Sequence, residues 1–194
     1  SLELLDCNNN QLTGLPTLPN TLKHINCTNN ELGSLPSLPN MLNSLSCDNN
    51  QLLSLPALPN SLKTLGCSNN QLSVIPTLTD SLIDLSCMDN LLISLPSLPN
   101  SLRYLSCYTN QLTSLPTLPD SLENLDCSSN QLTSLPSLPN TLVRLGCYNN
   151  QITSIPTVPD TMVQFIINQN NITCVSNLPY IANPATYNAN IGNN

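Results

Sequence analysis

The chain has 194 residues and a net charge of −7, and only 8% of its residues are charged. Its four lysines and arginines are too few to neutralise a run of phosphates, so we expect no nucleic-acid partner. No apolar run approaches the roughly 18 residues of a membrane-spanning helix, so we expect no membrane insertion. With one Phe and no Trp in the sequence, leucine must supply most of the core.

The cysteines reveal an internal repeat, because each one from Cys7 to Cys147 follows the previous one by twenty residues. The unit reads L-x-x-L-x-C-x-x-N-x-L-x-x-L-P-x-L-P-x-x, and it occurs nine times. The ninth copy, which starts at Met162, is degenerate. We therefore predict one repeat array over residues 1–175 and a C-terminal tail over 176–194 that caps the last repeat.

Each unit begins with a strand and continues with an extended return segment. Residues 24–28 alternate between polar and apolar, which indicates a half-buried strand. Pro36 and Pro39 exclude a helix on the return and favour a polyproline-like path. The unit ends on an Asn or Asp such as Asn40, whose side chain is predicted to close the turn into the next strand.

A single unit cannot bury its apolar side chains, so the units must stack. Stacking aligns six inward columns, which in one unit are Leu22, Ile25, Cys27, Leu32, Leu35 and Leu38. The predicted architecture is a solenoid with one parallel β-sheet on its concave face, extended Pro-rich returns on its convex face, and little or no α-helix.

The cysteines form a ladder, and we interpret them as buried, unpaired thiols that fill the core. Their period equals the structural repeat, free Cys packs as a small apolar side chain, and in-register neighbours fit disulfide geometry poorly. No C-x-x-C pair is present to hold a metal, so no metal or cofactor is expected. The ladder comprises Cys7, Cys27, Cys47, Cys67, Cys87, Cys107, Cys127 and Cys147.

A second ladder consists of asparagines, and it also has a structural interpretation. An amide side chain can both donate and accept hydrogen bonds, so stacked amides can satisfy the backbone of each buried turn. These residues are Asn10, Asn30, Asn50, Asn70, Asn90, Asn110, Asn130, Asn150 and Asn170.

The phrases L-P-x-L-P and L-x-x-L-x-C-x-x-N-x-L resemble the short bacterial class of leucine-rich repeat found in type III secreted effectors of the YopM and IpaH kinds. The resemblance covers residues 2–179, with Cys in place of the Val or Ile typical of those effectors. The Cys variant, with its N-Q-L-T-S-L-P phrase, is also similar to repeats of large secreted surface proteins from Bacteroidota-like bacteria. The resemblance implies a leucine-rich-repeat solenoid of about nine repeats.

The resemblance also implies a binding or scaffold module. We expect it to recognise a protein or a glycan through the concave sheet face, as part of a secreted or cell-surface bacterial protein. One alternative is an effector-like scaffold for host proteins in the host cytoplasm, which would suit reduced thiols. A further alternative is binding to ice or a crystal surface through ranks of Ser and Thr hydroxyls on the return path.

Binding residues are expected among the outward strand positions, which vary from repeat to repeat. Tyr and Arg are enriched at the energetic centres of interfaces, and several of them fall in repeats six to eight with acidic residues between them. The alternative is an ordinary solvated face with cross-strand ion pairs. The predicted partner site comprises Arg103, Tyr104, Tyr108, Glu123, Asp126, Arg144 and Tyr148.

A second candidate patch lies in repeats three to five, where apolar residues replace the polar ones of other copies. An exposed apolar patch often marks a contact, although scattered surface hydrophobes are the simpler interpretation. The patch comprises Leu53, Val74, Ile83, Met88, Leu91 and Ile93.

No catalytic residues are predicted. The only histidine, His24, has no nucleophile arranged against it, and carboxylates such as Asp84 and Asp89 would lie on an open sheet without a cleft to shift their pKa. The first strand has no predicted cover, and a free strand edge can pair with a second copy of the chain. Self-association through this N-terminal edge is therefore an alternative partner interaction.

Overall fold

A computed structural model describes residues 2–173 as nine three-residue strands in one parallel sheet, ordered as in the sequence. The strands are β1 (Leu4–Asp6), β2 (His24–Asn26), β3 (Ser44–Ser46), β4 (Thr64–Gly66), β5 (Asp84–Ser86), β6 (Tyr104–Ser106), β7 (Asn124–Asp126), β8 (Arg144–Gly146) and β9 (Gln164–Ile166). Each residue pairs with the residue twenty positions later, as in Leu5 with Ile25. The predicted solenoid with a parallel sheet is confirmed.

Extended returns join the strands, and across residues 2–173 the structure contains no helix that is long and apolar enough to cross a bilayer. The predicted capping tail, 176–194, lies outside the described residues.

The sheet has one inward and one outward face because side chains alternate along each strand. In β2, Ile25 is buried at the middle position, and Cys27 is buried two residues later. The residues between and beside them point to the concave surface. The variable residues of each repeat therefore point outward, and the apolar residue in the middle of the strand and the residue directly after the strand point inward.

The asparagine after each strand holds three backbone segments together. The Nδ2 of Asn30 donates to the carbonyl oxygens of Cys27 and Cys7, each at 3.0 Å, while its Oδ1 accepts from the N–H of Leu12 at 3.0 Å. The same bonds recur up to Asn170. One side chain thus satisfies polar backbone groups of its own repeat and of the preceding one.

The residue before each ladder asparagine adopts a left-handed backbone, with φ between 52° and 57°. Asn tolerates this region better than other residues with a Cβ, and it occupies the position in five of nine repeats. The exceptions are Asp89, Thr109, Ser129 and Gln169. Thr109 is the most strained of them, because its branched Cβ crowds the backbone there.

The return segments end in a turn that differs from the prediction. The N–H of Leu42 donates to the carbonyl oxygen of Pro39 at 3.1 Å, so a backbone hydrogen bond closes the turn around Asn40. The expected closure by the asparagine side chain was wrong, because the four-residue backbone turn already pairs these groups. Thr79 stands where other repeats have proline, and its carbonyl oxygen accepts the corresponding bond.

The inward side chains form one continuous core along the solenoid. Leu22, Ile25, Cys27 and Leu32 are buried, whereas Leu35 on the return is half-buried. The degenerate ninth repeat keeps the pattern with larger groups, since Phe165 and Ile167 occupy the Leu and Cys positions and are buried. The core is therefore maintained to the end of the described array.

Replacing a central ladder asparagine should be costly. In Asn90→Ala, the carbonyl oxygens of Cys67 and Cys87 and the N–H of Leu72 lose their partner while they stay buried. We expect the free energy of unfolding to fall by about 3 kcal/mol or more. The thermal midpoint, followed by circular dichroism, should drop by roughly 6–12 °C.

Asn10 provides the matched control for Asn90. It is exposed and donates to the carbonyl oxygens of Cys7 and Asn8. Water can replace those bonds, so Asn10→Ala should cost less than about 1 kcal/mol. Equal losses in the two variants would contradict the role given to the buried ladder.

The left-handed position offers a stabilising change. Thr109 has a φ of 53°, and Thr109→Asn should relieve its strain and stabilise the protein by about 1 kcal/mol. The thermal midpoint should rise by roughly 2–4 °C. The reverse change, Asn149→Thr, should lower the midpoint by a similar amount, and shifts of the same sign in both variants would refute the strain argument.

Candidate functional site

A groove of about 450 Å³ crosses the concave face over β5 to β9. Most of its lining comes from the first and third residues of these strands, which point outward. The lining residues are Asp84, Ser86, Tyr104, Leu105, Ser106, Asn124, Leu125, Asp126, Arg144, Leu145, Gly146, Gln164 and Ile166. Three residues of the predicted partner site are therefore in the groove, namely Tyr104, Asp126 and Arg144.

Contacts among Arg103, Tyr104 and Glu123 form one side of this region. The Nε of Arg103 donates to Oε1 of Glu123 at 2.9 Å, and its Nη2 contacts the same oxygen. The hydroxyl of Tyr104 donates to Oε2 of Glu123 at 3.2 Å, and the Arg103 guanidinium lies 6.0 Å from the Tyr104 ring centre. The hydrogen bond from Arg103 lowers the pKa of Glu123. Glu123 thus neutralises Arg103 and holds the Tyr104 hydroxyl.

The other charges of the groove are not neutralised in this way. Within residues 2–173, salt bridges join Lys23 to Glu3 and Arg103 to Glu123, and neither Asp126 nor Arg144 takes part in one. Partial burial raises the pKa of Asp84. The groove therefore presents carboxylates and a guanidinium that remain available to a ligand.

Two tyrosines of the predicted site lie beside the groove. Tyr108 and Tyr148 follow the ends of β6 and β8 by two residues. Burial raises the pKa of Tyr108, and the negative charges of Asp89 and Asp126 raise it further. Tyr148 is 37% exposed, so its ring is accessible.

Several lining residues were missed in the prediction, including Asp84, Asn124 and Gln164. The predicted set was chosen for Tyr and Arg and for the acids between them. Position in the repeat was the better signal, because Asp84, Asn124 and Gln164 each open a strand and point outward like Tyr104 and Arg144.

The fold exposes four of the six residues of the second candidate patch, and it places Ile83 at the other end of a strand. Leu53 and Ile93 are both 63% exposed, and Val74 and Leu91 are also exposed. Ile83 is half-buried and precedes β5, whereas Leu91 and Ile93 follow the turn beyond its other end. The length of the strand therefore separates Ile83 from the exposed apolar residues. Met88, which is half-buried, lies between them in the chain.

The hydroxyl side chains of the return path are exposed. Ala57 interrupts the series after Thr17 and Ser37, and the series continues without a gap from Thr77 to Thr157.

The cysteine ladder is buried and unreactive in its environment. Cys27 to Cys147 are buried and unpaired, and Cys7 at the end of the array is half-buried. Several thiols donate to a backbone carbonyl of the next repeat, as Cys47 does to Gly66 at 3.2 Å. Burial raises the pKa of Cys87 and Cys147 to about 12. Among the described residues, no group of three or more His, Cys, Asp or Glu side chains is placed to hold a metal ion.

Comparison with known proteins gives a family model and several similar structures. A model described as leucine-rich repeats in two copies matches residues 120–160. A structure of YopM from Yersinia enterocolitica is 37% identical, with a TM-score of 0.73, and the match covers 88% of this chain and 43% of that one. YopM from Yersinia pestis, described as a leucine-rich effector protein, is 33% identical, with a TM-score of 0.62 and coverages of 88% and 61%.

A third structure shares the ladder. InlJ from Listeria monocytogenes, whose functional domain is described as including a cysteine ladder, is 26% identical, with a TM-score of 0.65. That match covers 80% of this chain and 41% of InlJ. No curated protein matches the sequence. The chain thus spans less than two thirds of each of these three similar proteins.

The buried thiols should make stability sensitive to alkaline pH. The pKa of Cys87 and Cys147 is about 12 in the folded protein and near 9.0 ordinarily, so the unfolded chain loses these protons first as the pH rises. Stability should be full below about pH 9 and should fall between about pH 9 and 12. Each of the two thiols should contribute a loss of about 1.4 kcal/mol per pH unit.

The measurement is the free energy of urea unfolding between pH 7 and pH 10.5 under reducing conditions, with Cys87→Ala/Cys147→Ala as the comparison. The double variant should be less stable at pH 7 because it leaves two cavities. Its stability should nevertheless fall less steeply above about pH 9. Parallel pH profiles would show that these thiols are not the cause.

Proposed function

Because this chain is a leucine-rich-repeat protein with short, twenty-residue repeats of the bacterial type, we propose that it is a non-catalytic binding module that captures a protein through its concave face. The proposal is carried by the groove across β5 to β9, which is bordered by aromatic and charged side chains. The binding residues are those of the predicted partner site, Arg103, Tyr104, Tyr108, Glu123, Asp126, Arg144 and Tyr148.

The energetics of this surface favour a protein ligand. Tyr and Arg supply large contact areas with few rotatable bonds, and they dominate the binding energy of protein interfaces. Tyr104 and Tyr148 are 36% and 37% exposed, so each can lose surface to a partner. The net charge of −7 adds long-range attraction for a basic partner.

The proposed place of action is outside the bacterial cell, in a secreted or surface-displayed protein. The similarity to a leucine-rich effector protein supports secretion, and the alternative is an effector-like scaffold in the host cytoplasm. The cysteine ladder does not discriminate between these locations, because buried thiols are shielded from oxidants in either one. A surface-sorting signal in the complete gene would favour the cell surface, and a type III secretion signal would favour the host cytoplasm.

The site can be tested with peptides selected from a displayed library against the immobilised protein. The variant Tyr104→Ala/Tyr108→Ala/Arg144→Ala should weaken binding of the selected peptides at least about 100-fold, since each residue is expected to contribute more than about 1 kcal/mol. Biolayer interferometry measures the affinity. Thermal melting should show that the variant keeps the wild-type fold, because Tyr104 and Arg144 are exposed and Tyr108 is only half-buried.

The matched control is Leu53→Ser/Val74→Ser/Ile93→Ser, which alters three exposed side chains of the second candidate patch. Its peptide affinity should equal that of the wild type. If this control loses binding while the tyrosine and arginine variant keeps it, the second patch is the contact surface. A glycan array run on the same proteins distinguishes a carbohydrate ligand, for which binding would occur on the array and not to peptides.

A further inference from the structure

Gly146 allows two polar side chains to lie close to the backbone of β8 on the concave face, where a Cβ would collide with them. It is the last residue of β8, and a Cβ built on it would point outward, as Arg144 does two residues earlier. That Cβ would lie 2.8 Å from Oδ1 of Asp126 and 3.2 Å from Oγ of Ser128. A carboxylate oxygen and a hydroxyl therefore both border the surface above this glycine.

The hydroxyl of Ser128 is buried and has no hydrogen-bond partner among residues 2–173. Ser128 is only 1% exposed, so the lack of a partner is costly. Its Oγ lies 3.2 Å from the position that a Cβ of residue 146 would take, so a side chain there would crowd the hydroxyl. A polar group that a ligand places beside the Oγ would satisfy it.

An equivalent serine elsewhere in the array shows what is missing at Ser128. Ser68 occupies the same position of its repeat and is also 1% exposed, but its Oγ lies 2.9 Å from the Oγ of Ser86. Ser86 ends the strand of the following repeat, and the residue in that place beside Ser128 is Gly146. The orphan hydroxyl is therefore a consequence of glycine at this position.

The surroundings of this glycine favour a positively charged donor. Ser128 lies between Tyr108 and Tyr148, which occupy the same position in the repeats before and after it. The N–H of Thr109, which follows Tyr108, donates to the carbonyl oxygen of Ser128 at 3.0 Å. The N–H of Ser129, which follows Ser128, donates to the carbonyl oxygen of Tyr148 at 2.8 Å. Aromatic rings beside a carboxylate attract cations. Oδ1 of Asp126 accepts from the backbone N–H of Ser128 at 3.1 Å, and Asp126 makes no salt bridge within the described chain.

The charge in direct contact with position 146 is negative. Asp126 borders it, whereas Arg144, two residues earlier on β8, supplies none of the three atoms nearest to a Cβ there. Arg103 is already neutralised by Glu123. A basic side chain is therefore preferred over an acidic or an apolar one.

We propose that Asp126, Ser128 and Gly146 form a subsite for a lysine side chain of the protein partner. The lysine ammonium donates to the carboxylate of Asp126 and to the hydroxyl of Ser128, and glycine at position 146 avoids the collision that a side chain would make with both groups. Lysine suits this subsite better than arginine, because an ammonium is compact and a guanidinium is a wide planar fork. This inference rests on the proposed concave-face function and adds the chemistry of the partner.

Glycine signals give a direct test. The sequence contains five glycines, so a protein labelled with ¹⁵N-glycine gives a simple NMR spectrum of amide signals. The signals of Gly66 and Gly146 are identified by their loss in the Gly66→Ala and Gly146→Ala variants. The probe is the peptide acetyl-Ala-Lys-Ala-amide. Its titration should move the Gly146 signal and leave the Gly66 signal in place. The same peptide with norleucine instead of lysine should move neither signal.

Variants distinguish the subsite from a general attraction of cations. Asp126→Asn keeps the shape of the side chain but removes its charge, and it should weaken the lysine peptide at least about tenfold at Gly146. Ser128→Ala should also weaken it. The matched control is Asp48→Asn at Gly66, where Asp48 accepts from the backbone N–H of Ser68 at 2.7 Å. This control should leave the Gly146 response unchanged.

The results separate the two proposals. If library-selected peptides bind the concave face but the lysine peptide leaves Gly146 unmoved, the subsite is refuted and the binding function stands. If neither the selected peptides nor the lysine peptide binds that face, both proposals fail. A shift of Gly146 by maltohexaose, with none by the lysine peptide, would also overturn the lysine assignment, since it would indicate a neutral carbohydrate ligand.

Discussion

The hydrogen bonds of the ladder asparagines are the constraint on which the rest of the structure depends. A twenty-residue repeat reverses direction soon after a three-residue strand, so the turn brings several backbone groups into the interior. Asn30 pairs with Cys27 of its own repeat and with Cys7 and Leu12 of the preceding one. Because one amide bonds two repeats, it fixes both the shape of the turn and the offset between neighbouring repeats.

The regular offset explains the choice of core residues. Each inward column contains the same position of every repeat. A core side chain therefore packs against the equivalent side chains of the two neighbouring repeats, at the spacing of parallel strands. Leu fills most of the inward columns, and Cys fills the column directly after each strand, where Cys87 is fully buried. The ninth repeat accommodates Phe165 and Ile167 at these places, near the end of the described array.

The fold was predictable from the sequence because most positions of the repeat recur every twenty residues. Alternation around Ile25, the two prolines of the return and the invariant spacing of Cys and Asn all indicate the same stacked unit, and the structure confirms it. The closure of the return turn was not predictable from Asn40 alone. A backbone bond between Leu42 and Pro39 competes with the side chain for the same groups, and residue preferences do not reveal which one prevails.

The candidate site was less predictable, for a different physical reason. Outward positions follow from strand alternation, so the location of Tyr104 and Arg144 on the concave face could be foreseen. Their pairing could not, because it depends on which rotamer brings one side chain to another. Arg103 reaches Glu123 in the neighbouring repeat, whereas Arg144 has no acidic partner in the part of the chain that the structure describes. The sequence therefore indicates which residues are available, and the coordinates decide which charges stay unneutralised.

Uniform backbone geometry also determines where specificity can arise in such an array. Ser68 and Ser128 occupy the same position of their repeats and are equally buried, but the next strand supplies a different neighbour to each hydroxyl. With Ser86 as that neighbour the hydroxyl is satisfied internally, and with Gly146 it is left for a ligand. The scaffold does not need a new loop or pocket to create a recognition point. Removing one side chain from an otherwise repeated surface is sufficient, because the surrounding repeats keep the remaining groups in position.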